Sequence, residues 1–364
     1  MKRILYWCAG FVFVLPLIAQ ACTDFQIKAT DGSVIIGRSM EFATQVQSHI
    51  FIKARQEKQE GGAPDGGKGL TWSAKYGYIA INVFGLEDVV VDGMNEEGLA
   101  VEGLWLPGTK YQGISKKEAD RALSAGVLGA WILGNFSKTE EVKEAIKGVR
   151  VWCTVVPELN MEPPMHLAVH DAQGNNIVIE FIEGQVKVYD NPIGVLTNSP
   201  TFDWHLTNLR NYINLDSRNA AALTIAGMTF APTGNGSGLL GIPGDWTPPS
   251  RFVRAALFVH FADPAKNAQE GVILAGHILN TVDIPHGLIK DPTPQPSFIE
   301  DYTQWTVIKD LTNKVIYLRD YNNLSLRSVD LKKIKFEPGT KTKSISIESS
   351  EGGIKDITAE LSQK

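Results

Sequence analysis

The sequence predicts a layered α+β fold in which antiparallel strands are covered by helices. Apolar residues alternate with period two around tight-turn dipeptides, helical periodicity is confined to the stretches between those blocks, and no internal repeat or long linker divides the chain. Apolar residues make up 43% of the 364, ample for the core of one large domain or two ordinary ones.

The first strand block is "DFQIKATDGSVIIGRSM" (24–40), which alternates on both sides of Asp31-Gly32, a strong hairpin signal. A two-residue turn there makes paired residue numbers sum to 63, which sets Glu41 opposite Cys22 and Arg38 opposite Phe25. A second block, "MHLAVHDAQGNNIVIEFIEGQVKVYD" (165–190), reads as a three-stranded meander turning at Gly174-Asn175 and Glu183-Gly184. A third, "TQWTVIKDLTNKVIYLRDY" (303–321), is a hairpin turning near Asn313.

Helices fall between these blocks. "KKEADRALSAGVLGAWILGNF" (116–136) suits a helix despite its glycines, and "SKTEEVKEAIKG" (137–148) opens on a Ser137/Glu140 capping box and ends at Gly148. "SRFVRAALFVHFA" (250–262) and "NAQEGVILAGHILNTV" (267–282) have helical spacing as well. Residues 57–69, rich in glycine, read as a flexible loop, and the Lys-, Ser- and Glu-rich tail at 338–364 reads as partly disordered.

The first 21 residues have the order of a secretory signal: basic Lys2 and Arg3, an apolar run from Ile4 to Ile18, and small Ala19 and Ala21 after Pro16. Gly10 and Pro16 interrupt that run, and it falls short of the roughly 20 residues a membrane-spanning helix needs. Cleavage after Ala21 removes 21 of 364 residues and leaves 343, with the formal charge moving from −5 to about −7 as two lysine/arginine charges depart. The expected location is periplasmic or secreted. A mildly acidic chain without a basic cluster argues against a nucleic-acid partner. The domain expectation is a signal over 1–21, a single domain over 22–337 and the tail over 338–364.

Cleavage also makes Cys22 the first residue, carrying a thiol and a free α-amine. That amine ionises near roughly 7.7–8.0, against roughly 10.4 for a lysine, so a useful neutral fraction exists near pH 7 and can take the thiol proton. A nearby cation lowers the thiol's own value. The expected hairpin returns a carboxylate (Glu41) and a guanidinium (Arg38) to this cysteine. An ordinary surface ion pair is the commoner fate of such charges; the processed cysteine raises the catalytic reading above it.

"CTDFQIKATDGSVIIGRSMEF" (22–42), "DGMNEEGLAVEGLWLPG" (92–108), "VLTNSPTFDWHLTNLRNY" (195–212) and "GIPGDWTPPSRFVR" (241–254) together resemble the choloylglycine hydrolase family, which includes bile salt hydrolases and penicillin V acylases. The resemblance covers nearly the whole chain after Ala21. It implies the four-layer αββα fold of N-terminal-nucleophile hydrolases, a linear amide as substrate, no cofactor and, since relatives are often tetramers, a homotetramer. It puts the nucleophile on Cys22, a conserved arginine on Arg38, the oxyanion-hole asparagine on Asn198 and a second arginine on Arg251. The aspartate that contacts the α-amine in relatives falls on Glu41, a departure that keeps the charge and adds a methylene. Trp105 replaces the asparagine of bile salt hydrolases of Gram-positive type; its backbone N–H still serves the oxyanion, while its ring and Phe42 form apolar walls for the acyl group. Trp105, the "LTWSAKYG" stretch and the signal resemble the periplasmic branch, which holds penicillin V acylases and enzymes active on acyl-homoserine lactones.

Other features are set aside. Gly236–Gly241 matches G-x-G-x-x-G without the strand, helix and distal acid of a dinucleotide site. His166 and His170 are four apart on a predicted strand, and no metal is expected. Cys153 sits in an apolar run and reads as an inert core thiol, although a Cys22–Cys153 disulfide is the alternative in an oxidising compartment. Trp72, Trp204 and Trp246 read as packing. The expected function is therefore amide hydrolysis of a penicillin V or acyl-homoserine lactone type, with bile salt hydrolysis as the alternative. More distant rivals are a lipoprotein acylated at Cys22, for which Ala19-Gln20-Ala21 is a poor signal, and a silent binding protein on the same fold, disabled at Glu41.

Overall fold

The computed structural model of the protein describes residues 21–290, 300–341, 343–350 and 352–354, so the expected leader, apart from Ala21, lies outside the described residues. Two antiparallel sheets face one another. The first has the order β14-β1-β2-β18-β19-β20, with β17 added on β18: β1 is Thr23–Lys28, β2 Val34–Phe42, β14 Val195–Leu196, β17 Ile289–Lys290, β18 Glu300–Asp310, β19 Val315–Asp320 and β20 Asn323–Asp330. The second has the order β13-β12-β11-β8-β7-β6-β3-β21: β3 is His49–Lys53, β6 Tyr78–Ile81, β7 Asp92–Asn95, β8 Ala100–Trp105, β11 Met165–His170, β12 Asn176–Ile182, β13 Gln185–Asp190 and β21 Ser344–Ser346. The expected meander and C-terminal hairpin are both present.

Helices α4 (Pro248–Phe261) and α5 (Ala268–Asn280) pack on the first sheet, and α1 (Ala125–Asn135) and α2 (Thr139–Ala145) on the second. This is the αββα layering. One apolar cluster fills the space between the sheets and under α4 and α5, through residues such as Ile36, Met94, Leu104 and Phe252. Another joins the second sheet to α1 and α2 through Leu128, Ile132, Val142 and Phe181. α5 begins at an Asn267 cap that accepts the Glu270 N–H at 3.0 Å.

The Asp31-Gly32 hairpin forms, but its register corrects the expectation. The loop holds three residues, Thr30 to Gly32, closed by Ala29 N–H to Ser33 O at 2.8 Å and Gly32 N–H to Ala29 O at 3.0 Å, with Gly32 at φ +90°. That left-handed glycine is what a three-residue hairpin with a bulge requires. Pairs therefore run Asp24↔Arg38 and Thr23↔Ser39, one residue off the sum expected. A one-residue slip moves side chains to the opposite face. Arg38 and Met40 share a face with Asp24 and Cys22; Glu41 does not.

Three more expectations are corrected. Of residues 116–136, Lys116–Arg121 is a 3-10 turn and Ala122–Ser124 is β9, paired parallel with β10 (Arg150–Trp152); the α-helix starts only at Ala125. Long-range pairing overrides helix propensity there, for Leu70 N–H also reaches Ala122 O and Ser124 N–H reaches Gly61 O. The acid capping α2 is Glu141, which accepts the N–H groups of Ser137 at 2.8 Å and Lys138 at 3.1 Å, not Glu140. The 57–69 loop opens as a strand, β4 (Lys58–Glu60), paired with β5 (Thr71–Ser73). Within the tail, Ser344–Ser346 forms β21 at the sheet edge beside β3, which leaves the expectation of a partly disordered tail as it stands. A last hairpin, β15 (Leu223–Ile225) with β16 (Met228–Phe230), projects into solvent.

Candidate active site

Cys22 immediately precedes β1 at the rim where the two sheets meet, and it is buried. Its thiol lies 4.0 Å from Met40 Sδ and donates toward Glu41 O at 3.9 Å. Burial pushes the thiol above its ordinary value, opposed by the Arg38 and Arg251 guanidiniums and reinforced by the Glu41 carboxyl. The side chain points between the sheets, while the backbone faces α4.

Arg38 approaches from the inner face. Its Nη2 donates to Gly103 O at 2.6 Å, its Nε is 3.6 Å from Asp92 Oδ2, and its guanidinium lies 4.8 Å from the centre of the Trp305 ring. Nη1 has no hydrogen-bond partner among the described residues. Behind it lies a wholly buried ionic group. Lys309 Nζ is 2.7 Å from Asp92 Oδ1 and 2.7 Å from Glu102 Oε1, and His170 Nε2 is 2.9 Å from Asp24 Oδ2 and 3.5 Å from Glu102 Oε2. Asp24, Glu102 and His170 bring ligand atoms within 4.8 Å of one another, the spacing of a metal site. The Lys309 ammonium already supplies positive charge to Glu102 there, and Arg38 supplies more to Asp92.

Arg251, on the first turns of α4, approaches from the outer face. It donates through Nη1 to Cys22 O and to Thr23 Oγ1 (2.7 Å), through Nη2 to Asn198 Oδ1 (2.8 Å), and through Nε to Trp246 O (2.9 Å). Asn198 Oδ1 also accepts the Cys22 N–H at 2.6 Å. Two donors on Oδ1 orient the amide, so Nδ2 points to Trp105 O at 2.8 Å and keeps its second N–H for another acceptor. Gly103 N–H bonds Val91 O and Leu106 N–H bonds Pro164 O, so strand alternation turns the Trp105 N–H away from β11.

Glu41 lies on that outer face too. Its carboxyl accepts from Ser39 Oγ at 3.0 Å and Thr303 Oγ1 at 2.7 Å, and burial pushes it up to about 8 against the pull of Arg251.

Phe42 and Trp105 meet edge to face, centroids 5.9 Å apart, with Phe84 on the other side of Phe42 at 5.8 Å. They line a cavity of about 220 Å³ that starts at Cys22 and Met40 and runs past Val91 to Gly126. Among the described residues, no charged side chain lines it. Cys153 lines it as well, half-buried rather than in the core, because β10 ends at Trp152 and the chain turns along the cavity; burial raises its thiol to about 11. Both thiols are free, so no disulfide joins them. Trp246 packs through Nε1–H to Asp283 O, Trp204 is partly exposed with its ring edge to face with His205, and the glycine motif at 236–241 is a surface loop around a 3-10 turn.

Sequence reasoning missed the residues that hold the Asn198 segment. His205 Nε2 bonds Asn198 O at 2.9 Å while its ring stacks on Phe252, 4.6 Å away. Burial depresses this imidazole to about 4. His166 bridges Thr197 O (2.8 Å) and Glu180 (3.2 Å), and Glu180 in turn accepts the Phe202 N–H that starts helix α3 (Phe202–Leu209). For His166 and Glu180, polar residues at inward positions of otherwise apolar strands were the available signal.

Two facing sheets between helices, with a cysteine at the sheet rim bracketed by two arginines and an asparagine, define an N-terminal-nucleophile hydrolase fold. Residues 22–346 match the linear amide C–N hydrolases of the choloylglycine hydrolase family, and the chain belongs to that family. It is similar to a bile salt hydrolase/transferase of Clostridium perfringens (33% identical over 86% of this chain and 93% of that one) and to a penicillin V acylase of Pectobacterium atrosepticum (28%, over 91% and 87%). Among solved structures, a conjugated bile acid hydrolase variant from Clostridium perfringens superposes with a TM-score of 0.80 at 28% identity, covering 92% of this chain and all of that one. Penicillin V acylase from Agrobacterium tumefaciens gives 0.72 at 25%, over 89% and 91%.

Proposed function

We propose that the chain is a secreted hydrolase whose mature N-terminus is Cys22 and which cleaves slim, apolar N-acyl amides, of the penicillin V or acyl-homoserine lactone type. The observation that carries this reading is the uncharged, aromatic-walled cavity opening directly on the Cys22 thiol. At about 220 Å³ it is smaller than the roughly 300–1,000 Å³ clefts that enclose drug-sized ligands, which suits a phenoxyacetyl or fatty acyl group better than a four-ring steroid.

In the reaction, the α-amine takes the thiol proton and the thiolate attacks the amide carbonyl. The oxyanion is met by the spare Asn198 Nδ2–H and the Trp105 N–H. The α-ammonium returns the proton to the leaving nitrogen, the C–N bond breaks, and a thioester remains on Cys22. Water, deprotonated by the same amine, then attacks the thioester, releasing the carboxylic acid and restoring the thiol. No step calls for a cofactor.

Bile salt hydrolysis is the second reading, favoured by higher sequence similarity to the bile salt enzymes than to the penicillin V acylase. Purified mature protein assayed on penicillin V, a long-chain acyl-homoserine lactone and glycocholate separates the two. We expect kcat/KM to be lowest for glycocholate, and Trp105→Ala to narrow the gap by roughly 2- to 10-fold, the worth of about 0.5–1.5 kcal/mol of aromatic contact. Glycocholate cleaved fastest would overturn the acyl-pocket reading. Intact mass of the secreted protein tests the terminus and the periplasmic or secreted location together. The projecting β15–β16 hairpin, with Leu223, Ile225, Met228 and Phe230 all more than half exposed, supports self-association, in keeping with a homotetramer. Light scattering on wild type and Phe230→Ser checks it.

A further inference from the structure

The outer face of the first sheet carries a second buried acid, Asp301. It lies two residues before Thr303 on β18, and Thr303 pairs with Glu41, so strand alternation directs Asp301, Thr303 and Glu41 to the same side. Asp301 is 4% exposed. Its carboxylate accepts the backbone N–H of Ala21, while its Oδ1 has no hydrogen-bond partner among the described residues. A buried carboxylate oxygen left without a donor is costly, and burial accordingly pushes Asp301 up to about 7 against the pull of Arg251.

The contact with Ala21 gives that cost a purpose. Ala21 is the residue that signal removal takes away. Hydrolysis of the Ala21–Cys22 bond deprives Asp301 of its donor and turns the single Cys22 N–H into an ammonium with three. One of these hydrogens is met by Asn198 Oδ1, at 2.6 Å in the uncut chain. The other two need acceptors, and the oxygens of Glu41 already take hydrogens from Ser39 and Thr303.

We propose that Asp301 is a positioning residue for the reaction, the anionic partner that holds the freed α-ammonium of Cys22 in the space Ala21 vacates. This rests on the reading that Cys22 is the mature terminus. The charged groups around it are Arg251 from α4, Glu41 from β2 and the Cys22 thiol itself, with Asp245 acting on Arg251 from the turn before α4. The part that relatives give to an aspartate at the Glu41 position is divided here between two acids.

The test is the pH dependence of Cys22 alkylation by iodoacetamide, read on the tryptic peptide Cys22–Lys28 of mature protein. A carboxylate beside an ammonium keeps it protonated, so its loss lowers the midpoint. Asp301→Asn and Asp301→Ser are both expected to lower it by about one pH unit or more, with the acid limb of kcat/KM moving equally. Asp301→Glu should restore most of the shift, and Glu41→Gln should move the midpoint less than Asp301→Asn does. An unmoved midpoint in a folded Asp301 variant that begins at Cys22, or a larger shift from Glu41→Gln, overturns the proposal alone. A wild-type chain that does not begin at Cys22 overturns the reading beneath it as well.

Discussion

Arg38 and Glu41 stand three residues apart on β2 and live in opposite worlds. Arg38 faces the second sheet, in a wholly buried network where Lys309 and Arg38 balance Asp92 and Glu102, with the His170–Asp24 pair alongside. Glu41 faces α4, among hydroxyls, Arg251 and Asp301. The inner cluster touches Cys22 only through its side chain, by placing a guanidinium near the thiol. The outer cluster hydrogen-bonds its main chain, since Arg251 holds the carbonyl and Asn198 the nitrogen. One residue is thus gripped from both sides of a single sheet. On the proposed mechanism, that grip separates the two jobs of a terminal cysteine: the thiol is set against the apolar cavity, and the amine is set among acids that govern its proton.

The largest expected effect removes the object of both grips. Cys22→Ala should abolish turnover with the melting temperature intact, and normal rates in that variant would end the mechanism. The inner grip is next. Lys309→Met leaves Asp92 and Glu102 buried with too little positive charge, which costs about 3–5 kcal/mol of unfolding free energy in denaturant titration. Glu41→Gln, which keeps its hydroxyl partners and removes a carboxyl that burial disfavours in its ionised form, should cost far less. Equal losses would erase the distinction between the faces.

Asn198→Ala tests the outer grip as chemistry. Losing an oxyanion donor typically costs roughly 2.7–4 kcal/mol, about 10²–10³ in kcat. A change confined to KM would make Asn198 a binding residue only. The smallest effect concerns His205, which supports Asn198 from behind. Its folded-state value, about 4, lies below the 6.5 of a free imidazole, so the unfolded chain takes the proton first. The stability this neutral ring contributes is present above about pH 6.5 and is lost as pH falls toward 4, at up to about 1.4 kcal/mol per pH unit. Melting curves of His205→Gln should be flatter across that window than wild type.

Much of this was legible in the residues. The meander, the C-terminal hairpin, α4 and α5 follow from period and punctuation, because local alternation and caps act within a few residues. Arg251 and Asn198 were singled out through motifs, and the fold brings them together at Asn198 Oδ1. Two of the misses share one cause, pairing with distant parts of the chain. Residues 122–124 carry helical periodicity and become a strand because Arg150–Trp152 and the 61–70 turn bond to them from elsewhere in the chain. Asp301 carries no local mark at all; it matters because β18 runs beside β2.

By itself the sequence determined the period of each strand, the glycine that makes the first hairpin possible, and the presence of a cysteine, two arginines and an asparagine in recognisable settings. Those are properties of neighbouring residues, set by backbone sterics and side-chain spacing. Which side of the sheet each group faces was decided only by the tertiary structure. A three-residue loop in place of a two-residue one shifts β1 against β2 by a single position, and with a side-chain period of two that shift sends Glu41 to the helices while Arg38 and the thiol turn inward.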